Sequence, residues 1–259
     1  EAFFFSILGI SWKTHIIHSS IFNGAIAILS YSIFLKLELN KFYCFFYSFL
    51  ISILAYTPSG TPFVDHHATF FSLFAIYFFI LAIKFNQNYA WIVFPWFLGF
   101  SFLSKQVPAA YFLVLITILL TTYCFFKKTI RPILISFFSS IVFFLGFVLF
   151  CEIINLDYYL FVKQYVLYPL SIGSERVEGF SSITLESFIN KFKYILIPSF
   201  GIILLNYRIF KQNYKNKKID NIYIFISILT LPVCLILHQV LTKNQIFIYF
   251  LVPLLFSFF

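Results

Sequence analysis

Three consecutive residues, Asp65, His66 and His67, put a carboxylate and two imidazoles at the head of an apolar run. They follow directly on a turn rich in proline and glycine within Thr57 to Ala68, read TPSGTPFVDHHA. Such groups at the mouth of a membrane span can bind a cation, a phosphate or a sugar hydroxyl. An acid in a first helical turn also complements the positive end of the helix, so Asp65 has a purely structural reading as well. Neighbouring residues on a helix point in different directions, so one metal ion held by the whole triplet is not expected. Asp65 with one histidine, His66 for instance, remains a candidate metal pair.

Cationic and amide groups recur at other span ends. Lys105 and Gln106 interrupt two apolar runs within Gly99 to Pro108, GFSFLSKQVP. There a lysine either snorkels to the interface or pairs with a phosphate at headgroup depth. Arg176, in Ser171 to Val177 (SIGSERV), suits bidentate phosphate contacts, or else pairs with Glu175 or Glu178. His238 closes one apolar run, and Lys243, Asn244 and Gln245 make a short polar tip after it. His15 and His18 lie near the start of the first long run.

The elements that must carry these groups follow from composition. Of the 259 residues, 61% are hydrophobic and only 10% charged, with a mean hydropathy of +0.95. Soluble domains carry about 25% charged residues, so water is not the solvent for most of this surface. A bilayer-crossing helix needs roughly 20 mainly apolar residues. Candidate spans are 14–36, 42–57, 67–84, 89–104, 107–126, 133–153, 193–210, 221–241 and 246–259. The expectation is an all-α, polytopic transmembrane bundle of about nine spans, one domain over 1–259. A long outer loop, 154–192, separates spans six and seven. Within it Asp157 to Tyr168, DYYLFVKQYVLY, reads as an interfacial helix with tyrosines at headgroup level.

The net charge of +9 does not point to nucleic acid, because the basic residues sit in short clusters between apolar runs. Eleven of the 18 Lys and Arg fall on one side, with Arg208 to Lys218 the densest cluster, which makes that side cytoplasmic. The opposite side collects most of the acids and all five histidines. Charge on the inner side reads as topology, and chemistry faces outward. Cys44, Cys124, Cys151 and Cys234 all lie in apolar runs without metal-ligand spacing and read as core residues. With no Met anywhere, and apolar runs near both ends, the chain reads as an internal fragment.

The order of features resembles the GT-C superfamily of membrane glycosyltransferases, near the protein O-mannosyltransferase-like and lipid A aminoarabinose transferase-like branch (glycosyltransferase family 39-like). An acid opens a helix after an outer loop, Asp65 in FVDHHATFFSLFAIYFF. A G-x-x-x-L-(T/S)-K ending closes a later span, Gly99 to Lys105. An aromatic outer segment from Asp157 ends in Arg176, and KNQIFIYFLVPLL is similar to a late outer turn and helix, with Lys243 or Gln245 where an arginine is usual.

That resemblance implies transfer of a sugar from a polyprenyl-phosphate carrier to a glycan, lipid or protein acceptor, on the periplasmic face of a bacterial inner membrane. It maps Asp65 to an assisting acid beside His66 and His67, the main base being expected upstream of residue 1. Lys105, Gln106, Arg176 and Lys243 map to phosphate ligands, with His238 and His15 as additional site candidates. Some branches use a divalent cation, so Mg or Mn at Asp65 and His66 is a candidate cofactor. A transporter, or a flippase or polymerase of lipid-linked glycans, is the competing class. A transporter would show mid-span charges and broken helices in symmetric halves. A polymerase would carry a large outer loop with its own arginines and histidines.

Overall fold

The computed structural model describes residues 2–56, 64–171, 184–213, 219–242 and 248–258. The described residues are helical and contain no strand. In chain order the helices are α1 (Ala2–Leu8), α2 (Trp12–Lys36), α3 (Lys41–Tyr56), α4 (Val64–Phe85), α5 (Asn88–Ser104), α6 (Gln106–Lys127) and α7 (Arg131–Ile153). Then follow α8 (Tyr158–Val162), a π-helical turn (Lys163–Leu167), α9 (Leu185–Asn213), α10 (Ile219–Thr242) and α11 (Leu251–Phe256). Six of these, α2, α4, α6, α7, α9 and α10, are long and apolar enough to cross a membrane, α9 over Leu185–Leu205. This is the architecture of an integral membrane protein.

The runs read as spans at 42–57 and 89–104 form α3 and α5, of 16 and 17 residues. The run at 246–259 holds only the six-residue α11 among its described residues. The expected loop 154–192 is largely helical where it is described. Asp157 caps α8 by accepting from Leu160 N at 3.1 Å, and α9 begins at Leu185. Residues 172–183, with Arg176, lie outside the described residues, as do 243–247 with Lys243.

Helix α4 is the centre of the bundle. In its apolar window 78% of residues are buried, against 11% in α7. α7 instead turns Phe137, Phe138, Phe144 and Phe150 outward. Apolar residues facing outward cost nothing where the solvent is lipid, so packing between helices must come from shape and hydrogen bonds. Both devices join α4 to α5. Phe97 stacks on Phe71 and Phe78, and Ser72 Oγ and Ser101 Oγ lie 2.8 Å apart. Ser101 Oγ also donates to Ala68 O at 2.6 Å.

α5 meets α7 through Trp96 Nε1, which donates to Ser139 Oγ at 2.9 Å, and through Gly99. A Cβ added at Gly99 would lie 2.2 Å from the Phe143 ring, so any larger residue there requires that ring to move.

Contacts at the helix ends divide the bundle into two faces. At one end Lys36 Nζ donates to Tyr89 Oη at 3.2 Å, joining α2 to α5. Lys127 Nζ lies 2.7 Å from Asp220 Oδ1, joining α6 to α10. The opposite end, where α4 and α6 begin and α5 and α10 finish, carries the histidines and Asp65.

Candidate functional site

The first turn of α4 sends its three polar residues to three different neighbours. Successive helical residues are rotated by about 100°, and the bundle places a helix in each direction. Asp65 meets Lys105 and His238. The His66 ring lies 5.3 Å from that of Tyr56, at the end of α3. His67 meets His18 of α2, Nε2 to Nε2 at 3.1 Å. The triplet therefore does not converge on one ligand.

Asp65 ties α4 to the α5–α6 break and to α10. Lys105 Nζ lies 2.5 Å from its Oδ1, and His238 Nε2 donates to the same oxygen at 2.7 Å. Both donors converge on Oδ1, and among the described residues Oδ2 accepts no hydrogen bond. His238 is fully buried, while the Lys105 side chain keeps 25% of its surface exposed. An isolated carboxylate is costly to bury, and two cationic or N–H donors on one oxygen offset that cost.

Local geometry explains why Lys105 can reach. It is extended (φ −160°, ψ 133°) and ends α5, its N–H donating to Ser101 O. The break between α5 and α6 thus frees the lysine to lean across to α4. Gln106, beside it, turns the other way and donates to Tyr165 O at 2.5 Å. Tyr165 Oη in turn donates to Phe102 O. Gln106 is thereby a latch for the π-helical turn, and burial pushes the Tyr165 phenol up to about 12.

An apolar cavity of about 570 Å³ opens next to this latch. It is lined by Leu98, Phe102, Leu113, Phe143, Phe161 and Tyr165, among others. A second chamber of about 600 Å³ lies across Leu103, Phe143, Phe147 and Phe161.

Of the residues singled out in the sequence, Asp65, Lys105 and His238 come together, and Gln106 adjoins them. His66 and His67 flank Asp65 on α4 but face α3 and α2. His15 is half-buried in the second turn of α2, its ring 5.5 Å from Trp12. Arg176 and Lys243 fall outside the described residues. Sequence reasoning gave no role to the pairing of His18 with His67, nor to that of Asp65 with His238. A histidine inside an apolar run was the available signal, since a buried imidazole needs a partner from elsewhere.

Among the described residues no group of three or more His, Cys, Asp and Glu side chains is arranged to hold a metal ion. The Asp65–His66 pair fits a divalent cation poorly. Lys105 and His238 take up Asp65 Oδ1, and the His66 ring packs near Tyr56 and 6.0 Å from Phe70. Comparison of the chain with protein-family models, with curated proteins and with solved structures gives no match to any of them.

Proposed function

We propose that the chain is the membrane-embedded core of a glycosyltransferase that takes a sugar from a polyprenyl-phosphate carrier and passes it to a glycan, lipid or protein acceptor. The observation that carries this reading is Asp65 held by Lys105 and His238 at one end of the bundle. Sugar transfer from a phosphate carrier needs a carboxylate near the acceptor hydroxyl, a cation for the departing phosphate and a dry surface for the isoprenoid.

In this reading Oδ2 of Asp65 faces the acceptor hydroxyl and assists its deprotonation as the acceptor oxygen attacks the anomeric carbon. The bond from that carbon to the phosphate oxygen breaks, and the phosphate leaves with both bonding electrons. Lys105 stabilises its charge by exchanging Asp65 for the phosphate, with Gln106, Arg176 and Lys243 as further phosphate ligands. His238 stays on Oδ1 and fixes the carboxylate. The isoprenoid lies in the apolar chambers lined by Phe102, Phe143 and Phe161. The histidine-bearing end then faces the periplasm of a bacterial inner membrane. The nine apolar runs are nine crossings, α3 and α5 being accommodated by local thinning of the bilayer.

The test is transfer from a short-chain prenyl-phosphate hexose in membranes containing the full-length protein. Asp65→Asn and Lys105→Ala each abolish transfer while membrane abundance stays at the wild-type level. Wild-type rates in both variants would remove the site.

A further inference from the structure

Two imidazoles apart from the Asp65 oxygen meet between α2 and α4. His18 Nε2 and His67 Nε2 are 3.1 Å apart, and the residues are only 2% and 8% exposed. Their ring centroids are 4.8 Å apart and the planes tilt by 34°. The two Nε2 atoms thus face each other across a gap that either a shared proton or a bridging ion could span. Zn–N bonds are about 2.0–2.1 Å, so two nitrogens at this separation subtend about 100° at an ion between them, near the tetrahedral value.

The setting keeps both rings in place. Phe4 meets His18 edge-on at 4.9 Å, and Phe22 packs against both imidazoles, at 5.0 Å from His18 and 4.6 Å from His67. The two histidines come from different helices, so neither ring can follow the other if one helix shifts.

We propose that His18 and His67 form a two-histidine site for a borderline transition-metal ion of the Zn²⁺, Co²⁺ or Cu²⁺ class. Imidazole nitrogens favour such ions over the hard, oxygen-seeking Mg²⁺ and Ca²⁺. Water or an anionic ligand completes the coordination. The ion clips the start of α2 to the start of α4 and stabilises the histidine-bearing end by mass action. The site stands apart from the glycosyltransferase reading, since neither Lys105 nor His238 takes part.

The competing account is a hydrogen bond from one neutral imidazole to the other, with no ion. The two are separated by titrating the full-length, detergent-solubilised protein, after chelation, with Co²⁺ followed by visible absorption. Zn²⁺ is then added as competitor and the retained metal counted by mass spectrometry. The site binds one Co²⁺ per chain, Zn²⁺ bleaches the band, and the thermal midpoint rises with metal. His18→Gln and His67→Gln each weaken binding at least about tenfold, whereas Asp65→Asn and His238→Gln leave it unchanged. His18→Cys keeps a ligating atom and retains Zn²⁺, which separates loss of a ligand from loss of fold. The proposal is overturned if wild-type protein retains no ion at micromolar metal. It is equally overturned if the Gln variants bind as wild type does, if His18→Cys binds no better than His18→Gln, or if Asp65→Asn loses the ion as they do.

Discussion

His238 Nε2 donates to Asp65 Oδ1 at 2.7 Å across 173 residues of sequence, joining the last turns of α10 to the first turn of α4. His238 is fully buried, and removing the carboxylate takes away the partner its Nε2–H has at Asp65. Asp65→Ala is expected to cost about 1–3 kcal/mol more than an ordinary surface change. A double-mutant cycle of Asp65→Asn and His238→Ala, followed by thermal unfolding in detergent, measures the coupling. Additive effects would show that the contact contributes nothing.

The other donor to Asp65, Lys105, keeps a quarter of its side-chain surface exposed, and its loss is milder for the fold. Lys105→Ala leaves His238 on the carboxylate and is expected to lower the thermal midpoint less than His238→Ala does. The two variants differ in location as well as charge, so a reversed order would assign the weight of the site to the α5–α6 break.

Gly99 is a packing requirement. Gly99→Ala drives a methyl group into the Phe143 ring, and overpacking of this kind costs about 1–3 kcal/mol. Phe143→Leu removes the ring atoms concerned and is expected to restore much of the loss in the double variant. Absence of rescue would mean that α5 and α7 separate by another route.

The latch at Tyr165 sets a pH limit. A tyrosine normally titrates near 10, and burial raises Tyr165 to about 12. The neutral phenol is the form the fold favours, so its contribution is complete below pH 10 and is lost as pH climbs toward about 12. ¹³C-tyrosine NMR, with the signal assigned through Tyr165→Phe, checks this. A Tyr165 signal that titrates at 10 would show the phenol open to solvent.

Opposite faces of the bundle are testable by labelling. The described cysteines are all buried, so cysteines introduced at Lys127 and Ser171 are expected to react with a membrane-impermeant maleimide from opposite sides of sealed vesicles. Labelling of both from one side would contradict the alternation of α6 and α7.

The sequence by itself determined the solvent and the periodicity. A charged fraction of 10% and apolar runs of span length leave no route but helices in lipid, where every backbone group must be satisfied within its own segment. It also marked Asp65, Lys105 and Gln106, because polar groups at the ends of apolar runs stand out. It also placed a helix at Asp157 to Tyr168, where α8 and the π-helical turn lie, but it did not determine that runs of 16 and 17 residues stop where they do, or that α9 begins at Leu185 rather than at 193.

Only the tertiary structure decided the partners. Which helix lies in each direction from α4 fixes that Asp65 faces His238, His66 faces Tyr56 and His67 faces His18. Those choices depend on how ridges of Phe, Ser and Gly interlock between helices far apart in sequence. In lipid that interlocking, rather than hydropathy, drives helix association, and it leaves no pattern within a single run.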